Sequence, residues 1–93
     1  MNIFISKLMK DKALDAIVFT NRYNIRYLTG YTGDTGMLIM TAKKGYLITD
    51  FRYIFQAKEE SSGVEVQDVA KTGYSGLMKQ IFSDHAVKNA GFE

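Results

Sequence analysis

Residues 36–49 read GMLIMTAKKGYLIT. Gly36–Thr41 and Gly45–Thr49 are two apolar runs joined by Ala42, Lys43 and Lys44, a pattern that predicts an antiparallel hairpin with Gly45 at its turn. On either side, helical and strand-like patterns alternate. Upstream, Asp15–Thr20 (DAIVFT) has the apolar, β-branched character of a buried strand. Before it, residues 2–12 carry Ile5, Leu8 and Met9 at helical spacing behind Asn2, a candidate N-cap. Residues 21–28, NRYNIRYL, put Tyr23, Tyr27 and Leu28 at helical spacing, with Gly30 as a left-handed stop. Downstream, Asp50 stands where it can cap the helix DFRYIFQAKEES, with Phe51, Ile54, Phe55 and Lys58 on one side and Gly63 at its end. Val64, Val66 and Asp68–Ala70 predict a fourth strand. Ser75–Phe82 forms a helix with the stripe Leu77, Met78, Ile81 and Phe82, and Lys88–Glu93 begins a fifth strand. The order αβαββαβαβ predicts a three-layer α/β domain, a sheet flanked by helices, and the hairpin makes that sheet mixed.

Composition narrows the function classes. The chain has 93 residues, 46% hydrophobic and 24% charged, enough for one domain that buries roughly 60–65% of its unfolded surface. Twelve basic and 10 acidic side chains leave a net charge of +2, and the Lys and Arg residues are scattered, so no nucleic-acid surface is predicted. Cysteine is absent, which removes disulfides and thiolate metal sites and suits a reducing compartment. The apolar start before Lys7 is far too short for a signal-peptide core, and no run approaches a membrane span. A cytoplasmic protein is expected. The closing Ala90-Gly91-Phe92-Glu93 stops within an apolar run, so a piece of a longer protein is expected.

The glycines Gly30, Gly33 and Gly36 invite comparison with a phosphate loop. Their spacing is wrong, no Lys follows them, the order is helix, loop, strand, and Asp34 would repel phosphate. A dinucleotide fingerprint fails on the same topology. The remaining reading is a tight helix-to-strand connection with positive φ angles. His85, next to Asp84, is the single histidine, and no second one completes a zinc spacing; a place at a helix end near backbone carbonyls is expected. Asp11, Asp15, Glu59, Glu60 and Glu65 fall on solvated faces or helix ends, and the adjacent Glu59 and Glu60 cannot face each other as an acid and base pair. Ser6, Ser61, Ser62, Ser75 and Ser83 have one distant histidine to share, so no triad is assigned. No catalytic residue emerges. Asp50 and Arg52 carry two compatible readings: an N-cap with an arginine anchoring a neighbouring carboxylate or carbonyl, or a guanidinium clamp for an anionic or carbonyl ligand group at a strand end.

Three stretches in order, DAIVFTNRYNIRYLTGYTG (15–33), GYLITDFRYIFQA (45–57) and NAGFE (89–93), resemble the N-terminal domain of the creatinase, prolidase and Xaa-Pro aminopeptidase family. The most specific pieces are Asn24–Tyr31 and the Thr49-Asp50-x-Arg52-Tyr53 motif. The resemblance covers almost the whole chain and implies a ribonuclease-H-like domain over 1–93 that precedes a separate "pita-bread" catalytic domain, absent here. It implies that this domain carries no metal, while the parent holds two divalent ions (manganese, cobalt or zinc) on two Asp, one His and two Glu, none of them assignable here. The parent would hydrolyse the peptide bond before proline in proline-containing peptides. An Xaa-Pro aminopeptidase or dipeptidase is the better fit, creatinase itself the narrower one. The N-terminal domain would support a homodimer and overhang the active site, often the partner's, with Tyr31 as an outward-looking aromatic wall and Arg52 and Tyr53 shaping the pocket. Relatives often carry Glu where this chain has Phe55, which points to a core or interface role there. Some relatives keep the fold and lose the metal, so the alternative is a peptide- or protein-binding module.

Overall fold

The computed structural model describes residues 3–70 and 72–93; Asn2, the expected cap of the first helix, lies outside them. The elements are α1 (Ile3–Asp11), β1 (Ala16–Phe19), α2 (Arg22–Thr29), β2 (Met37–Thr41), β3 (Gly45–Thr49), α3 (Ile54–Glu60), β4 (Val64–Asp68), α4 (Gly73–Asp84) and β5 (Ala90–Phe92). The sheet has 5 strands in the order β4-β3-β2-β1-β5. β2 runs antiparallel to β1 and β3, whereas β4 joins β3 and β5 joins β1 in parallel.

Alternation along the strands divides the core between two faces. On one, Ile17, Phe19, Leu38, Met40 and Leu47 pack under Ile5 and Met9 of α1, Ile25 of α2 and Ala57 of α3. On the other, Val18, Ile39, Tyr46 and Ile48 pack against Leu77 and Ile81 of α4. The central strands are therefore apolar on both sides, and the layers are those the sequence predicts.

Several details differ from the sequence reading. Gly45 does not make the hairpin turn. Thr41 does, its hydroxyl donating to the Lys44 carbonyl at 2.8 Å and accepting the N–H of Lys44 at 3.0 Å. Gly45 opens β3 because a Cβ there would lie 2.7 Å from Met40 Sδ and 2.9 Å from Val64 Cγ1. Helix α2 buries Ile25 and Thr29, leaving Tyr23 and Tyr27 exposed; α3 buries Ala57, with Phe51 and Phe55 at 78% and 77% exposure. In both, bulky aromatics at helical spacing suggested the wrong face, because the sheet accepts the smaller side chains and lets the helix approach closely. Asp50 caps a turn that precedes α3, which begins only at Ile54, and α3 ends at Glu60, before Gly63. β4 stops at Asp68, where the side chain accepts the Ala70 N–H at 2.9 Å and turns the chain away.

Because β1, β3, β4 and β5 point one way, their C-terminal ends and the start of β2 share one edge of the sheet. Glu93 ties that edge together: its carboxylate accepts the N–H groups of Thr20 and Asn21 and the side-chain amide of Asn24. Burial alone would push this carboxyl up, but the donors prevail and hold it below its ordinary value.

Candidate functional site

Two connections meet at this edge, the α2–β2 loop over residues 30–36 and the β3–α3 turn over 50–53. Helix α2 starts cleanly, since Asn21 Oδ1 accepts the N–H groups of Tyr23 and Asn24, the bonds an N-cap supplies. It stops at Gly30, whose φ of 88° is left-handed and whose N–H reaches Arg26 O. The next residue turns inward. Tyr31 is 1% exposed, its N–H bonded to Thr29 Oγ1 at 3.1 Å and its hydroxyl donating to Thr35 O at 2.7 Å. Thr49 Oγ1, at the end of β3, donates to the same carbonyl at 2.7 Å. Burial raises the Tyr31 hydroxyl's pKa, consistent with a phenol acting only as a neutral donor.

The outward direction expected of Tyr31 is thus corrected. A Cβ on Gly33 would lie 2.1 Å from the Tyr31 hydroxyl oxygen, so the loop folds over the ring only because residue 33 has no side chain. Tyr31 is the post on which the loop is wrapped.

The β3–α3 turn supplies the exposed chemistry. Arg52 donates from Nε to Asp50 Oδ1 at 3.1 Å and from Nη2 to Oδ2 at 2.8 Å, while its backbone N–H also reaches Oδ1 at 3.0 Å. The Arg52 side chain is 60% exposed, its guanidinium carbon 5.3 Å from the centre of the Tyr53 ring. Hydrogen bonding to Arg52 holds the Asp50 carboxyl below its ordinary range. Tyr53 donates to Asp34 Oδ1 at 3.0 Å, and Arg22 stands 4.0 Å from the other Asp34 oxygen. Loop and turn therefore form one surface, with a shallow cleft of about 320 Å³ beside it lined by Asp34, Thr35, Gly36, Met37 and Tyr74.

Arg52 and Tyr53 come together, then, and Tyr31 is buried in the core cluster against which Tyr53 packs. Sequence reasoning named Glu60, Asp34 and Thr49 but gave none of them its contact in the site. Glu60 accepts the backbone N–H and the hydroxyl of Thr32; no local pattern announces a contact 28 residues apart. His85 lies at the opposite edge, closing α4, with its ring 2.7 Å from the Tyr46 hydroxyl through Nε2. Among the described residues no three His, Asp or Glu side chains gather to hold a metal ion, and no helix is long and apolar enough to cross a membrane.

The Creatinase/Prolidase N-terminal domain family matches residues 5–93. The chain belongs to that family. A curated relative named as the uncharacterized peptidase YqhT of Bacillus subtilis is 34% identical over 84 residues, which cover 86% of this chain and 22% of the relative. Among solved structures, the Xaa-Pro dipeptidase of Bacillus anthracis superposes with a TM-score of 0.86 at 29% identity, over 96% of this chain and 25% of that one. The X-Pro aminopeptidase of Thermotoga maritima gives 0.85 at 27%, over 97% and 26%. The N-terminal domain of the cytoplasmic peptidase PepQ of Mycobacterium tuberculosis gives 0.83 at 26%, over 96% and 68%. This creatinase/prolidase N-terminal domain thus spans about a quarter of the two full peptidases.

Proposed function

We propose that this chain is the non-catalytic N-terminal domain of an Xaa-Pro aminopeptidase or dipeptidase, a metallopeptidase whose separate catalytic domain cleaves the bond before proline. One observation carries the reading. In a chain whose relatives bear Xaa-Pro peptidase names, the 30–36 loop and the 50–53 turn form a single hydrogen-bonded surface with Arg52 exposed at its rim.

On this reading the surface overhangs the catalytic pocket, and the domain supports a homodimer. Arg52, pre-oriented by Asp50, keeps donors available for a carboxylate or carbonyl of the peptide. Tyr53 flanks it as an aromatic wall, and Tyr31 acts from the core by fixing the loop. On this reading the two metal ions belong to the catalytic domain. A cytoplasmic location goes with this reading, as one structural neighbour is named a cytoplasmic peptidase.

The test has two parts. Purified 93-residue protein should not hydrolyse an Xaa-Pro peptide with or without Mn²⁺; metal-dependent turnover by it would overturn the assignment. In the full-length parent, Arg52→Ala should raise KM or lower kcat about tenfold, the effect of one lost charge-assisted contact, with metal content unchanged. Unaltered kinetics would make Arg52 structural. The alternative, a peptide- or protein-binding module without catalysis, is favoured by Phe51 and Phe55, both exposed beside Arg52. The reading frame beyond Glu93 separates the two: two Asp, a His and two Glu in order support the peptidase, and their absence supports the module.

A further inference from the structure

Glu60 stands at the last position of α3, where the helix dipole disfavours a negative charge. The carboxylate is spent elsewhere. Oε1 accepts the Thr32 backbone N–H at 2.8 Å, the Thr32 hydroxyl lies 2.9 Å from both carboxylate oxygens, and Gln56 Nε2 reaches Thr32 Oγ1 at 3.1 Å and Glu60 Oε1 at 3.2 Å. Gln56 and Glu60 are one turn apart on α3, so together they close on Thr32 from one helix face. Two further contacts seat the same helix end against the loop. The Ser62 N–H donates to Thr29 O at 3.1 Å, and a Cβ on Gly30 would lie 2.9 Å from Glu60 O.

We propose that Glu60 is a positioning residue for the substrate-facing loop: by accepting both donors of Thr32 it fixes where Thr32–Asp34 stand relative to Arg52 and Tyr53. This inference rests on the peptidase reading above, and it adds a residue that touches no substrate. The far end of the loop is already held by Tyr31 and Thr49 at Thr35 and by Tyr53 at Asp34. Glu60 holds the near end. With it removed, the backbone N–H of Thr32 turns to water and the segment before Asp34 is left hinged on Gly33.

Two measurements on Glu60→Ala and Glu60→Gln test this. In the 93-residue chain, amide hydrogen exchange at Thr32 should quicken at least tenfold in Glu60→Ala, with the amides of β2 and β3 unchanged. Glu60→Gln, whose amide oxygen still accepts both Thr32 donors, should recover most of the protection. In the full-length parent, Glu60→Ala should raise KM about fivefold or more with kcat within twofold, and Glu60→Gln should restore KM. A merely structural role would lower kcat through lost active protein and leave KM alone. Unchanged Thr32 exchange overturns the positioning role whatever the activity does. Faster exchange with unchanged KM also overturns the proposal, but through the pocket reading, since the loop would then be positioned without facing substrate.

Discussion

Tyr31 carries more of the site than any other single side chain, and it does so from inside. Its hydroxyl is one of two donors to Thr35 O, and its ring occupies the space that a side chain at residue 33 would need. Tyr31→Phe removes the bond and keeps the packing. The expected loss is about 1 kcal/mol in urea unfolding, because the carbonyl keeps the Thr49 donor and is not left unsatisfied; a loss above about 3 kcal/mol would mean the phenol does more than this. Gly33→Ala should cost more than Tyr31→Phe, since neither the ring nor the loop backbone can give way by an ångström within a close-packed core. Comparing the two midpoints in one urea series checks that ranking. Sequence could place Tyr31 in the loop but not give its direction, which depends on the pairing of an aromatic with a glycine two residues on. Arg52 was easier to read because its partner, Asp50, lies within the same short motif.

At the scale of elements, α3 couples charge to loop order. The Glu60 carboxyl lies below its ordinary value of 4.5, chiefly because of the Thr32 N–H. A depressed acid favours the folded arrangement above the unfolded pKa, and that contribution is lost as pH falls through the lower, folded value. Acidification should therefore release Thr32: its exchange protection should be lost as pH falls below the ordinary glutamate value of 4.5 in the native chain and stay flat in Glu60→Gln, as amide exchange across a pH series would reveal. Helix α2 offers a second check at its C-terminal stop. Gly30→Ala puts a Cβ at φ 88° and 2.9 Å from Glu60 O, so a loss of about 1–3 kcal/mol is expected from thermal unfolding. Most of these elements were legible in order and type because they have an apolar run of the right length bounded by glycine, Asn21 or Asp50. Their faces were less legible. Tyr23, Tyr27, Phe51 and Phe55 repeat at helical spacing, yet Ile25, Thr29 and Ala57 are what the sheet receives, a choice made by how closely two layers approach rather than by hydrophobicity.

For the whole molecule, stability rests on the two-sided burial of β2 and β3. Ile39 is 0% exposed and faces α4 in the second core cluster. Ile39→Ala should cost about 2–5 kcal/mol and lower the midpoint of the whole urea transition, followed by circular dichroism; separate transitions for the two sheet faces would contradict a common core. The mixed sheet was readable from the 36–49 hairpin alone, but the placement of β5 beside β1 was not, because parallel partners need no local signal. That placement has a kinetic consequence. The hairpin closes over a short turn, whereas β5 reaches β1 only when residues 73 positions apart come together, as the Glu93–Thr20 contact requires. Closing so long a loop is entropically slow and must be rewarded by contacts already formed. The chain should thus fold outward from its middle, with the last strand docking late and opening first, so that the edge clasped by Glu93 is the gate through which the native state is left.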